Sequence, residues 1–221
     1  FGTEVQSNDT GDYRTLNYGI FQNTQGIKAP VYGSGGGPYP PTGWTGILNG
    51  NVDDNFYAIT NIPSFYMSGT LYTQCYIGTN TYITFGSGSG AYSDLSAINP
   101  PFPKFHLGSA DNSAQRISKL NDEKYTRIRY EGTRGVSGTA GSPTIVLEIT
   151  LFNMSLTNNV PVVEVLVGNH NSLSGKKLIA SSSVEYANFT LLANNSYVFV
   201  GNANGTAWTV YSGYYIANTG Y

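Results

Sequence analysis

Short runs rich in Val, Ile, Thr, Tyr and Phe alternate along the chain with clusters of Gly, Pro, Asn and Ser. Because β-branched and aromatic residues favour strands whereas Gly and Pro interrupt them, this pattern predicts many short strands joined by turns. Eight such runs span residues 70–77, 81–85, 125–131, 144–152, 161–167, 184–192, 196–200 and 207–211. They predict an all-β fold, an antiparallel β-sandwich of jelly-roll-like type.

Two of these runs have two chemically different faces. In 144–152 every odd position from Ile145 to Leu151 is apolar, whereas the other face carries Thr144, Glu148 and Thr150. The run 125–131 places Arg127 and Arg129 together on one face. This alternation is typical of strands with one face in the core and one in water. We therefore expect the two arginines to be solvated, or alternatively to form a docking patch for an acidic neighbour.

One stretch without Gly, residues 109–124, has apolar residues at roughly helical spacing. Asp, Asn and Ser dilute the pattern, so a short helix is possible there but is not the favoured interpretation. The N-terminal part has a different character, because residues 32–51 contain seven Gly and three Pro. We divide the chain into an extended Gly/Pro-rich arm and linker, residues 1–52, and a β-sandwich domain, residues 53–221.

Composition narrows the classes of function. Only 11% of the 221 residues are charged, 14% are aromatic, and the formal net charge is −2. A surface so poor in cations argues against nucleic acid as a partner. The sequence contains no run of 18 apolar residues, so membrane insertion is not predicted. The single cysteine, Cys75, can form no intrachain disulfide and is expected to be a buried structural residue.

The order of motifs after residue 53 resembles a known group of β-sandwich proteins. The motifs are YTQCYIGTNTYITFG at 72–86, the Pro-rich loop and Ala110-Asp111-Asn112 that follow it, and the later strand segments YTRIRYEGT, GSPTIVLEITLF and VEVLVGNHN. Together they resemble virion surface proteins, fibre heads and tail-associated modules of phages and large viruses, and more faintly the nidogen-type domains of adhesins. The resemblance covers about residues 53–211. It implies a non-catalytic structural role and supplies no catalytic residues.

Possible catalytic and metal-binding residues have simpler interpretations. Asp53-Asp54 is the only adjacent carboxylate pair, and on an extended strand the two side chains would point to opposite faces. We expect them in a solvated turn, His106 in a strand and His170 in a turn. A calcium site would need six to eight oxygens, and the residues that could supply them do not form an EF-hand loop. These candidates are Asp53, Asp54, Asp94, Asp111 and Asn112. No catalytic residue, metal or cofactor is therefore predicted.

The excess of aromatic residues is the most informative remaining feature, because tyrosine suits both protein interfaces and sugar-binding surfaces. Aromatic residues of the arm and the C-terminal tail are predicted to lie in an assembly interface: Tyr13, Tyr18, Phe21, Tyr32, Tyr39, Trp44, Tyr214, Tyr215 and Tyr221. We expect a non-enzymatic structural subunit on a virion surface or outside the cell, with copies of itself as partners. The alternatives are a glycan-binding attachment module and a polysaccharide-degrading enzyme.

Overall fold

A computed structural model describes residues 27–135 and 142–215, together with the backbone of two short paired strands, β1 (Gln6–Ser7) and β2 (Tyr13–Arg14). The remaining strands of the described residues are β3 (Thr45–Asp53), β4 (Phe56–Met67), β5 (Thr70–Gly78), β6 (Tyr82–Thr84), β7 (Lys104–Ser109), β8 (Asn112–Asn121), β9 (Tyr125–Arg134), β10 (Ile145–Phe152), β11 (Val162–His170), β12 (Lys176–Ala180), β13 (Glu185–Asn188), β14 (Ser196–Gly201) and β15 (Trp208–Ser212). A single 3-10 turn, Met154–Leu156, is the one helical element of this part of the chain.

Strands β3 to β15 form two antiparallel sheets. The first has seven strands in the order β15-β14-β11-β10-β9-β8-β3, and the second has six in the order β13-β12-β7-β6-β5-β4. The β-sandwich prediction is confirmed, and each of the eight predicted runs contains a strand. The jelly-roll order is not confirmed, because β4–β7 and β8–β11 are each laid down consecutively and later strands extend one edge.

The core lies between the facing surfaces of the two sheets. Ile83 and Phe85 are both fully buried, and the Phe85 ring stacks on Phe65 with 5.6 Å between centroids. The Phe105 ring meets Phe85 edge-on, also at 5.6 Å, and the seven-stranded sheet contributes the alternating aliphatic residues of β10. Such aromatic pairs stabilise a core beyond the area they bury.

Residues 109–124 form no helix in the structure. Asn112–Asn121 is strand β8, which pairs with β3 on one side and β9 on the other. The apolar residues Ala114 and Ile117 are buried because a bulge between Ala114 and Arg116 shifts the register, so that both reach the core. The apparent helical spacing thus arises from a bulged strand.

The polar face of the seven-stranded sheet is buried, and the expectation of a solvated face is wrong. Glu148 and Thr150 are 2% and 0% exposed, and Arg129 is 1% exposed. Arg129 binds Glu131 at 2.9 Å and Glu148 at 2.8 Å, while Arg116 binds Glu131 at 2.7 Å. Arg127 is half-buried and donates to the Thr150 hydroxyl. The acidic neighbours of the arginines therefore lie in the same sheet.

Residues 27–44, which we call the covering segment, lie across this polar face. The Arg129 guanidinium donates to the carbonyls of Val31 and Tyr32, and Arg116 donates to the carbonyl of Gly37 at 3.1 Å. The Val31 amide donates to Glu148 at 3.2 Å. Gly33 approaches Gly168 so closely that a Cβ on Gly168 would lie 2.1 Å from the Gly33 carbonyl oxygen. Three members of the ion network, Arg116, Arg129 and Glu148, thus bind the backbone of the covering segment.

Part of the sequence assigned to the arm belongs to the sandwich. Residues 45–52, placed before the expected boundary at 52/53, lie in β3, the edge strand of the seven-stranded sheet. The sequence does not reveal this strand, because two register shifts against β8 interrupt the alternation of apolar and polar residues and its glycines are typical of a turn or linker. An extended arm is not confirmed for the described residues 27–44, which lie on the sheet of their own chain.

Arg129→Met is expected to lower the free energy of unfolding by about 3–5 kcal/mol, because it leaves Glu148 buried without its hydrogen-bonded cation. The same change should accelerate proteolysis within residues 27–44. Arg127→Met, on the same face of β9, loses a hydrogen bond to the Thr150 hydroxyl and a cation–π contact with Tyr125, and should cost about 1–2 kcal/mol. Urea denaturation and timed proteolysis measure both effects, and equal costs for the two variants would contradict the role assigned to Arg129.

Candidate functional site

All connections that pass from one sheet to the other lie at the same end of the sandwich. The chain changes sheets between β3 and β4, β7 and β8, β11 and β12, and β13 and β14. The antiparallel registers place these four connections, with the β5–β6 turn, at one end, which we call the crossover end. Polar loop residues from both sheets therefore meet there, as is common where binding sites form on a rigid scaffold.

A buried turn organises the crossover end. Thr79, Asn80 and Thr81 are fully buried, and Asn80 links three loops. Its side-chain amide donates to Asp54 and to the Ala91 carbonyl, both at 3.0 Å, and its oxygen accepts from the Asn112 backbone at 2.8 Å. The left-handed residue of this turn is Thr81, with a φ of 71°. These bonds fix the positions of Asp54 and of Asn112, the residue that follows Asp111.

Three carboxylates converge beside this turn. Asp53, Asp54 and Asp111 each place an oxygen within 4.8 Å of the others. The argument that Asp53 and Asp54 point to opposite faces does not apply, because Asp54 lies in a left-handed bend with a φ of 49°. Asp54 is exposed in the expected turn before Phe56, whereas Asp53 is the last residue of β3 and its Oδ1 is buried, so the expectation of a solvated turn is confirmed only for Asp54.

Burial, together with repulsion from Asp54, raises the pKa of both Asp53 and Asp111, whereas Arg134 opposes this shift at Asp111. Such a group of carboxylates can share a proton or bind a hard cation. Of the five residues considered as calcium ligands, the structure brings these three together. Asn112 instead supports the buried turn, and its side-chain amide donates to Thr81 at 2.8 Å.

A polar groove of about 490 Å³ opens next to the carboxylates. Its lining combines one aromatic ring with charged and hydroxyl groups: Tyr92, Asp94, Asp111, Arg134, Ser174 and Lys176. Tyr92 is 52% exposed. The Arg134 guanidinium reaches Ser174 at 3.3 Å, so it bridges the β9 and β11–β12 sides of the groove. Opposite charges and a ring thus share one accessible surface.

The loop 87–103, which carries Tyr92 and Asp94, covers the outer face of the six-stranded sheet. Beneath it the Tyr82 hydroxyl donates to the Ala91 carbonyl at 2.8 Å. Lys104, fully buried, donates to the carbonyls of Ala97 and of Ser181, the latter at 2.7 Å. His106, also fully buried, contacts the Ser96 carbonyl at 3.2 Å through Nε2. The loop is held because its carbonyls satisfy buried donors.

Burial shifts the basic groups under this loop. It lowers the pKa of Lys104 to about 8 and that of His106 to about 4, the latter with a small further contribution from the Lys104 charge. Carbonyls of Ser96 and Asn99 oppose the shift at His106. His106 is therefore neutral near pH 7 and is suited to donate one proton to a carbonyl rather than to carry a charge.

The other candidates have structural surroundings. The prediction of a strand position for His106 is confirmed. His170 is not in a turn, as expected, but is the last residue of β11. Its Nε2 lies 2.9 Å from the Leu107 carbonyl, and its Nδ1 accepts from the Ser172 amide. Cys75 is fully buried as predicted, and burial raises the pKa of its thiol to about 12, which disfavours the reactive thiolate.

The predicted interface residues differ in their exposure and in their contacts. Tyr32 is 47% exposed, Tyr39 donates to the Ile117 carbonyl at 2.9 Å, and Trp44 is half-buried. The Lys28 ammonium lies 5.9 Å from the Tyr214 ring centroid, and Tyr215 is buried against Phe152 of its own chain. For Tyr13 only the backbone is described, and Tyr18, Phe21 and Tyr221 lie outside the described residues.

Comparison with protein-family models, with curated proteins and with solved structures finds no match. The resemblance to virion surface proteins therefore stays a prediction. In the described part of the chain, no helix has the length and apolarity needed to cross a bilayer. Sequence reasoning missed Tyr92, Arg134 and Lys176, since nothing in their local sequence distinguishes them from ordinary loop and strand-end residues.

Acidification should destabilise the fold through His106. Its pKa lies near 4 in the folded chain and near 6.5 when solvated, so the unfolded chain binds a proton first as the pH falls. The stabilisation is complete above about pH 6.5 and is lost towards pH 4, by up to about 3 kcal/mol. We expect His106→Gln to remove this part of the pH dependence in urea titrations between pH 7 and 4. Parallel stability curves for the two proteins would contradict this assignment.

Proposed function

We propose that the chain is a non-enzymatic structural subunit of a virion or extracellular surface assembly, a fibre head, decoration or filament protein, that associates with copies of itself and contributes to attachment. The observation that supports it best is the exposed apolar surface of the covering segment. Ile27, Val31 and Tyr32 are 64%, 53% and 47% exposed within a short stretch. Exposed apolar residues that are close together favour burial against another protein.

The covering segment suits this role because its inner side is already fixed. Its backbone binds Arg129, Arg116 and Glu148, so its outward side chains are presented in a defined arrangement. A surface that is ordered before association loses less conformational entropy when it binds. The low charge of the chain adds to this, since few like charges oppose the approach of two copies.

The remaining details of the proposal come from the sequence. The resemblance over residues 53–211 favours a virion surface, and the aromatic residues of the arm favour an interface to which Tyr13, Tyr18 and Phe21 contribute. Attachment is supported by the polar groove at the crossover end, whose lining residues come from outside the covering segment. No cofactor, nucleic acid or membrane insertion enters the proposal.

The full chain should be an oligomer at tens of micromolar in sedimentation velocity. Replacing Ile27, Val31 and Tyr32 together by Ser should shift the distribution towards monomer, since the apolar area that drives association is removed. Val184→Ser, at a residue 56% exposed in the β12–β13 turn, serves as control and should leave the oligomer intact. A monomeric full chain, or a triple variant that assembles as before, would contradict the proposed surface.

Catalysis is tested at the three carboxylates. Incubation of the full chain with capsular and plant polysaccharides, followed by a reducing-end assay, should show no cleavage. Asp53→Asn, Asp54→Asn and Asp111→Asn should then change stability but no turnover. Two carboxylates about 5 Å apart are the arrangement of retaining glycosidases. Cleavage that disappears in one of these variants would overturn the non-enzymatic proposal and favour the polysaccharide-degrading enzyme.

A further inference from the structure

We infer that the groove at the crossover end is a binding site for a neutral saccharide, with Tyr92 as the stacking surface and the charged side chains around it as hydrogen-bonding groups. The inference rests on the proposed contribution to attachment and names its ligand class. It is independent of self-association, which involves the covering segment.

The ring of Tyr92 has the exposure that stacking requires. About half of the residue is accessible, at the edge of a groove whose volume, about 490 Å³, lies in the range of ligand pockets. The flat C–H face of a pyranose presents polarised hydrogens, which favour the negative face of an aromatic ring. Tyrosine offers this surface at low entropic cost because it has few rotatable bonds.

The polar groups around the ring match the chemistry of sugar hydroxyls. Each hydroxyl both donates and accepts a hydrogen bond. Asp94 and Asp111 can accept, whereas Arg134 and Lys176 can donate. Charged partners form the stronger hydrogen bonds, and a neutral ligand can satisfy both signs without bringing a charge of its own.

The electrostatic surroundings distinguish a neutral saccharide from an anionic one. Asp111 belongs both to the groove and to the group of three carboxylates within 4.8 Å. With Asp94, four carboxylates lie in or beside the groove against two cations, Arg134 and Lys176, and this excess of negative charge opposes a sulfated or carboxylated sugar. A peptide is disfavoured by the lining, because the apolar residue next to Tyr92, Leu95, is only 7% exposed and offers no pocket for an anchoring side chain.

The loop that carries Tyr92 is held in place before any ligand binds. Asn80 and Tyr82 both donate to the Ala91 carbonyl, the residue directly before Tyr92. Lys104 and His106 bind the carbonyls of Ala97 and Ser96 on the other side of Asp94. Because buried side chains fix the loop on both sides, little ordering remains to oppose binding.

The test uses a glycan array probed with the labelled full chain, followed by titration calorimetry with the neutral oligosaccharide that gives the strongest signal. Tyr92→Ala should weaken its affinity by about tenfold or more, whereas Tyr92→Phe should retain it because the ring remains. Tyr66→Ala, at a half-buried tyrosine on β4 at the opposite end of the sandwich, is the control and should bind like the parent chain. Sedimentation of every variant establishes that its assembly is unchanged.

Absence of any glycan binding would overturn the inference, as would equal binding by the parent chain and Tyr92→Ala. Binding restricted to anionic glycans would overturn the neutral ligand class. The array is run with calcium and again with EDTA, and the same pattern is expected because side chains make the proposed contacts. Binding seen only with calcium would overturn that assignment. Failure of glycan binding in a chain that still assembles would leave the structural role standing, whereas a monomer that binds glycan would refute assembly alone.

Discussion

The burial of the ion network on the outer face of the seven-stranded sheet is the constraint on which the arrangement of the molecule depends. Arg129, Glu131 and Glu148 are each at most 3% exposed, and removing such charges from water costs several kcal/mol apiece unless every donor and acceptor is satisfied. Within the sheet the carboxylates satisfy only some of the guanidinium donors. The carbonyls of Val31 and Tyr32 in the covering segment accept further hydrogen bonds from Arg129, so this segment extends the network as well as shielding it. Burial raises the pKa of Glu148, and the Arg129 charge opposes this shift.

The six-stranded sheet covers its buried basic groups in a different way, and it leaves Nδ1 of His106 without a hydrogen-bond partner among the described residues. Its outer face buries Lys104 and His106, and the carbonyls of the loop 87–103 and of Ser181 accept their hydrogens without a carboxylate. Neutral acceptors satisfy a cation less well than a carboxylate does, which is consistent with the lowered pKa of Lys104. An irregular segment therefore covers each sheet. Accessible polar surface is left largely to the ends and edges of the sandwich, where the groove lies.

Much of the fold could be predicted because strand alternation reports local geometry. The pattern of 144–152 identifies β10 and its core face, and the hairpin of β5 and β6 follows from apolar runs around a turn. Alternation shows that two faces differ, but it does not show what covers the second one. Charged residues at alternate positions, such as Arg129 and Glu148, therefore looked solvated although they are buried. The element that covers them, rich in Gly and Pro, has no periodicity and so could be interpreted only as a linker.

The candidate site was harder to predict because topology assembles it from distant residues. Asp53 and Asp54 precede Asp111 by nearly sixty positions, and only the change from one sheet to the other at both places brings their carboxylates within 4.8 Å. Residues at such crossings cannot continue a strand ladder, so their backbone groups need side-chain partners, and Asn, Thr and Asp supply them. Asn80 shows the consequence, since one amide joins the β3–β4 bend, the loop before Tyr92 and the start of β8. The side chains that hydrogen-bond to the unpaired backbone groups of the crossovers thus also fix the geometry of the groove beside them.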